Sequence, residues 1–189
     1  IVHRDLKPEN VLLAPDASSG AAVTAKLSDF GLARSIASRV SAEGAVVGTV
    51  FYLAPELALG QPYDGRADLY ALGVMLYELT TGRLPFLADD PVAVISQHLH
   101  APVVPPRARD EGIPPALDAL IMRLLCKDPQ ERPASAAEVR RALEAAEILD
   151  GEAIPARELS VLERIERGRL VARERELAQT RALWRRASA

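Results

Sequence analysis

"HRDLKPEN", residues 3–10, sets Asp5, Lys7 and Asn10 into one short loop around Pro8. Moving a phosphoryl group from a nucleotide to a hydroxyl needs a carboxylate that takes the hydroxyl proton, a cation on the moving group and oxygen ligands for Mg²⁺. Asp5 can accept that proton, Lys7 can stabilise charge on the transferred group, and Asn10 can present a neutral amide oxygen to a metal. Residues two and five positions beyond Asp5 can face one small volume when the loop is compact. Alone, Asp-x-Lys is usually a solvated loop pair.

Outward from this loop, Asp29-Phe30-Gly31 and Ala54-Pro55-Glu56 follow in order. Taken singly, Asp29 reads as a turn residue before Gly31, and Glu56 as a residue that favours a helix N-terminus. Taken together, HRDLKPEN, DFG and APE resemble the catalytic core of the eukaryotic-like serine/threonine protein kinases of bacterial type. The resemblance implies a mainly α fold with a short β-hairpin, the C-terminal lobe of a protein kinase. It also implies Asp5 as catalytic base, Lys7 as phosphate stabiliser, Asn10 and Asp29 as Mg²⁺ ligands, and ATP with Mg²⁺ as cofactors. Phe30 is expected to pack beneath Asp29, near His3. "RADLYALG" resembles the start of the family's buried central helix, with Asp68 bonded to the backbone of the opening loop. "ERPAS" resembles the site where Arg132 pairs with Glu56. Lys7 with Thr49 resembles the serine/threonine branch, so the acceptor is a Ser or Thr hydroxyl of a protein substrate. Val50 stands where many members carry Pro.

The likeness runs through Leu149, roughly four fifths of the chain. Neither G-x-G-x-x-G nor G-x-x-x-x-G-K occurs. The resemblance therefore places the Gly-rich loop and the strand lysine before Ile1. The N-terminal lobe is expected to be missing, with ATP-dependent phosphorylation a property of the intact protein and not of these residues alone. Two rivals stand beside this reading: a pseudokinase or orphan lobe that binds a partner, and the sensor part of a signalling ATPase. Residues 170–184, "LVARERELAQTRALW", resemble the entry segment of ATPase modules of the AAA or STAND type, and read equally as a salt-bridged helix serving as linker or dimer contact. The expected organisation is a partial catalytic domain over 1–149 and a linker with a helical segment over 150–189, where a downstream ATPase module would begin. Ser35, Ser38, Ser41 and Thr49 lie between Asp29 and Glu56. A phosphate on Ser38 or Ser41 is expected to pair with Arg4 and order that segment.

An apolar share of 49% and a charged share of 26% are ordinary for a globular protein, and an aromatic share of 4% leaves the interior to aliphatic side chains. A net charge of -3 without long single-sign runs gives no attraction to nucleic acid. Cys126 is the only cysteine, which excludes an internal disulfide and fits a reducing compartment and a structural, buried thiol. No stretch reaches the roughly 18 apolar residues of a membrane span, and no secretory pattern opens the chain, so the reading is cytoplasmic.

"VLLA" and "AVTAKLS" read as two paired strands across the turn-forming "PDASSGA", and Gly31–Gly48 as a mobile loop. Ala67–Thr81 is apolar on nearly every face and stops at Gly82, which predicts a helix buried all round. Val92–His100 predicts a further helix, and "APVVPPR" an extended connection. His98 and His100 lack partner ligands for a metal and are assigned to a surface helix. Leu117, Leu120, Ile121, Leu124 and Leu125 repeat at helical spacing before Asp128 and Pro129. "PASAAEVRRAL" predicts a capping box, with Ser135 accepting from the third helical amide and Glu138 reaching back, and a buried stripe of Val139, Ala142, Leu143 and Ala146.

Overall fold

The computed structural model describes residues 1–15, 23–30 and 50–145. The chain divides after Asp150 into two units, and every described residue belongs to the first. Val11–Pro15 (β1) and Val23–Leu27 (β2) pair antiparallel, with Val11 opposite Leu27. Single turns of 3₁₀ helix at Pro8–Asn10 and Val50–Tyr52 precede β1 and the short helix α1, Pro55–Ala58. The rest is helical: α2, Arg66–Thr81; α3, Pro91–His100; α4, Pro115–Leu124; and α5, Ala136–Ala145. The expected turn at "PDASSGA", the loop Gly31–Gly48, Ser35, Ser38, Ser41, Thr49, Ala146 and the segment 170–184 lie outside the described residues.

Local chemistry sets the helix ends. Asp90 accepts from the Val92 amide at 3.0 Å and Pro91 takes the first position of α3, where a missing N–H costs nothing. At the end of α2, Gly82 adopts φ 71° and donates its N–H to Glu78 at 2.8 Å, a left-handed cap open to glycine. The capping box of α5 forms with a shift. Glu138 N–H donates to Ser135 Oγ at 3.3 Å, while the Glu138 carboxylate reaches past Ser135 to the Ala134 amide at 2.9 Å. That bond and Arg123 hold the Glu138 carboxyl below the usual carboxylate range.

The core is helical and mostly aliphatic, as the low aromatic share requires. Ala54, Ala67, Tyr70, Val74 and Tyr77 pack with Ile113, Leu117, Ile121 and Leu125. Leu69, Leu120, Leu124 and Val139 form a second cluster joining α2, α4 and α5. Gly73 lets α2 and α4 meet, since a Cβ there would lie 2.7 Å from Leu124 Cβ. No described side chain of the hairpin is buried, and Leu12, Leu13 and Leu27 are exposed.

Three expectations change. Helix α2 is buried over its first three turns but not all round: Leu79, in the last turn, is exposed, because the core ends before the helix does. The surface assignment of α3 fails at His98, which is completely buried and shares the core-facing side with Val94. Cys126 is half-buried, not buried. Burial still raises the pKa of its thiol, which keeps it protonated and inert.

Glu56 and Arg132 meet as expected, Nη1 to Oε1 at 2.7 Å and Nη2 to Oε2 at 2.9 Å, both side chains buried. Arg132 also donates to the carbonyls of Arg66, Cys126 and Lys127 at 2.9, 2.8 and 3.0 Å. Every guanidinium donor is thus engaged, and α1 is locked to α2 and to the turn after α4.

Candidate active site

The opening loop is hung from α2 by one carboxylate. Asp68 accepts the His3 amide at 2.7 Å on Oδ2 and the Arg4 amide at 2.8 Å on Oδ1. This fixes two successive peptides and lets Arg4 sit at φ 70°. The buried His3 ring faces the far side of the site, with Nε2 2.8 Å from the Ser28 carbonyl and Nδ1 3.4 Å from the Asp5 amide. A carbonyl only accepts and an amide only donates, so the hydrogen is on Nε2. Phe30 sets its ring edge-on to His3, centroids 4.8 Å apart, as expected, although Phe30 itself is largely exposed.

Pro8 turns the chain so that Asp5, Lys7 and Asn10 converge. Lys7 Nζ lies 3.2 Å from Asp5 Oδ2. The buried Asn10 donates Nδ2–H to the Asp5 carbonyl at 2.8 Å and to Asp5 Oδ2 at 3.3 Å. The strand pairing continues one step beyond β1 and β2, where the Ser28 amide donates to the Asn10 carbonyl at 2.9 Å. The hairpin thereby delivers Asp29 beside the loop that carries Asn10. Asp29 adopts φ 60°, and Arg4 and Asp29 are the only non-glycine residues with positive φ among the described residues.

The site brings together all four residues singled out by sequence: Asp5, Lys7 and Asn10 by direct contact, Asp29 through the strand pairing. Asp5 offers a carboxylate to a hydroxyl proton, with a cation beside it. Asn10 uses its NH₂ on Asp5, so the amide oxygen is the Asn10 atom with the chemistry of a metal ligand. Asn10 and Asp29 suit Mg²⁺, which takes one or two protein oxygens and completes its shell with water and phosphate. Among the described residues no cluster of three or more His, Cys, Asp or Glu could hold a metal by itself.

Two further contacts escaped the sequence. Arg4 lays its guanidinium 5.0 Å from the Tyr63 ring centroid. Tyr52 donates its hydroxyl to Glu78 at 2.6 Å, tying the Val50–Tyr52 turn to α2. Neither has a local signal, since each joins residues brought close only by the fold. His98 had one: Val94 and His98 stand four apart, on one face of a helix.

Residues 1–145 match the protein kinase domain family. The serine/threonine-protein kinase PknB of Mycobacterium leprae is 44% identical over 142 residues, which cover 74% of this chain and 22% of the relative. A probable serine/threonine-protein kinase of Streptomyces coelicolor is 43% identical over 159 residues, 82% of this chain and 22% of that protein. Pkn1 of Myxococcus xanthus is 45% identical over 148 residues, 77% of this chain and 21% of its own. The chain thus spans about a fifth of the length of the curated relatives it matches. By this match the chain belongs to the protein kinase family, among the bacterial eukaryotic-like serine/threonine kinases.

Proposed function

We propose that this chain is the C-terminal lobe of a kinase that transfers a phosphoryl group from ATP to Ser or Thr hydroxyls of a protein substrate. The observation that carries the reading is the convergence on Asp5, whose Oδ2 is 3.2 Å from Lys7 Nζ and 3.3 Å from Asn10 Nδ2. Asp5 orients the acceptor hydroxyl and takes its proton. Lys7, already beside Asp5, stands against the charge that develops on the transferred group. Asn10 and Asp29 would hold Mg²⁺. The metal neutralises charge on the nucleotide phosphates when bound. The two strained residues, Arg4 and Asp29, fix this geometry before substrate arrives, which is the main contribution a protein makes to phosphoryl transfer.

The Gly-rich loop and strand lysine of the family belong to an N-terminal lobe outside these residues. The exposed Leu12, Leu13 and Leu27 on the hairpin support a further packing partner for this lobe. Residues 1–149 are the partial catalytic domain, and 150–189 lie outside the described residues. Without the N-terminal lobe these residues turn over no substrate.

The test is Asp5→Asn in the protein carrying both lobes, assayed for transfer from ATP to a Ser/Thr protein substrate. Loss of a positioned base lowers turnover about 10²–10⁴-fold. Full turnover in the Asp5→Asn protein, or Asp5-dependent turnover by residues 1–189 alone, refutes the reading.

A further inference from the structure

Far along the chain from the phosphoryl-transfer residues, His98 is a fully buried imidazole that the proposed reaction does not use. Its Nδ1 lies 2.9 Å from Tyr70 Oη, and the Phe86 ring meets it edge-on at 4.9 Å between centroids. Burial raises the pKa of the Tyr70 phenol, which therefore stays O–H. With Tyr70 donating to Nδ1, the imidazole hydrogen is on Nε2, and Nε2 is buried without a hydrogen-bond partner. The backbone of Phe51 favours the charged form of the ring without completing a hydrogen bond to it. The helix that carries His98 meets α1 and the Val50–Tyr52 turn, while the His98 ring itself faces Tyr70 of α2, Phe86 and the Phe51 backbone.

The charges around it are arranged against a proton. Lys127 Nζ donates to the His98 carbonyl at 2.7 Å and to the Gln97 carbonyl at 3.3 Å, and lies 4.2 Å from the Phe86 ring centroid. Arg132 lies 4.8 Å from the Tyr70 ring centroid. The carboxylate on α1, Glu56, is already paired with Arg132. In the Val50–Tyr52 turn, the titratable Tyr52 gives its hydroxyl to Glu78 of α2. On α3 itself, His100 is exposed and Asp90 caps the opposite end. A proton on His98 would add a cation beside two others, with the nearby carboxylate already matched.

We infer that the seating of α3 on α1 and the Val50–Tyr52 turn is a proton-sensitive contact: protonation of His98 unseats α3 while the α2–α4 core stays folded. This does not depend on kinase activity. Burial first and Lys127 second lower the His98 pKa from 6.5 to about 4, with Phe51 opposing. Once α3 opens, the imidazole regains its ordinary pKa. Between these values the open form binds more protons than the closed one, so opening grows as pH falls through this window and is suppressed above it. Between pH 7.5 and 5 the opening constant of α3 increases about 30-fold.

Hydrogen exchange of the full-length protein at those two pH values, corrected for intrinsic exchange rates, reads this directly. The amides of Val94–Ala101 are expected to lose about 30-fold in protection relative to those of α2. His98→Asn keeps an acceptor for Tyr70 and does not titrate, so it abolishes the pH response. Tyr70→Phe removes the donor that favours the neutral ring, so opening moves to higher pH, and it serves as the test should His98→Asn not fold. Equal loss in α2 and α3, no excess loss in α3, or an unshifted opening in Tyr70→Phe overturns the inference. A pH response that survives in His98→Asn does the same.

Discussion

At the scale of single residues, Arg132 shows how far one side chain's role exceeds its ion pair. Its two bonds to Glu56 are accompanied by three to the carbonyls of Arg66, Cys126 and Lys127. Glu56→Gln leaves a buried guanidinium without its counter-charge and is expected to cost about 3–5 kcal/mol in urea denaturation. Replacing both partners with apolar residues often restores stability elsewhere. Here Glu56→Leu with Arg132→Met recovers little, because three carbonyls in half-buried bonds lose their donor. A double variant as stable as the parent would show that those carbonyls find other partners. The Glu56–Arg132 pairing was legible from APE and ERPAS as a resemblance. The carbonyls were not, since no sequence pattern says where a distant backbone turns.

At the scale of elements, the central contact is α2 against α4, and Gly73 sets its distance. An added Cβ would stand 2.7 Å from Leu124 Cβ and 3.3 Å from both Leu124 C and Leu125 Cδ2. Alanine is the better helix former by about 1 kcal/mol, whereas overpacking a closed interface costs about 1–3 kcal/mol. The clash is with a Cβ and backbone, which cannot swing away, so the helices must separate. Gly73→Ala is therefore expected to destabilise by about 1 kcal/mol net, read as a lower urea midpoint at unchanged slope. A higher midpoint would mean that the two helices do not touch at this level. The elements themselves were legible: α2, α3, α4 and the strand pair fall within a residue or two of their periodic runs. At the end of α4 the leucine pattern runs to Leu125 but the helix stops at Leu124, because Leu125 leaves helical geometry, at φ -87° and ψ 8°, and caps the last turn. Burial was less legible than type. The apolar run of α2 outlasts the core at Leu79, and one histidine among polar neighbours, His98, lies inside it.

At the scale of the whole molecule, the helical core and the candidate site are joined through Asp68, which rises from the first turn of α2 to hold two amides of the opening loop. Those amides belong to His3 and Arg4, and the loop reaches Asp5 with one more peptide. The core clusters do not include Asp68 or the loop. Stability and catalysis should therefore separate when this link is cut. Asp68→Asn keeps one acceptor and turns an NH₂ toward the other amide, so one of the two peptides loses its partner. The core is expected to keep its urea midpoint to within about 1 kcal/mol, because the bond to the Arg4 amide is exposed and water replaces the acceptor there when the NH₂ is turned toward Arg4. Hydrogen exchange at His3 and Arg4 should rise while α2 and α4 stay protected. In the two-lobed protein, turnover should fall about 10–100-fold, since displacement of a positioned base by about 1 Å has that effect on rate. Substrate binding, which does not require the base, should change less. An Asp68→Asn protein that loses core stability and activity together would show that the loop is part of the core. One that keeps full turnover would show that Arg4, at its strained φ, needs no anchor.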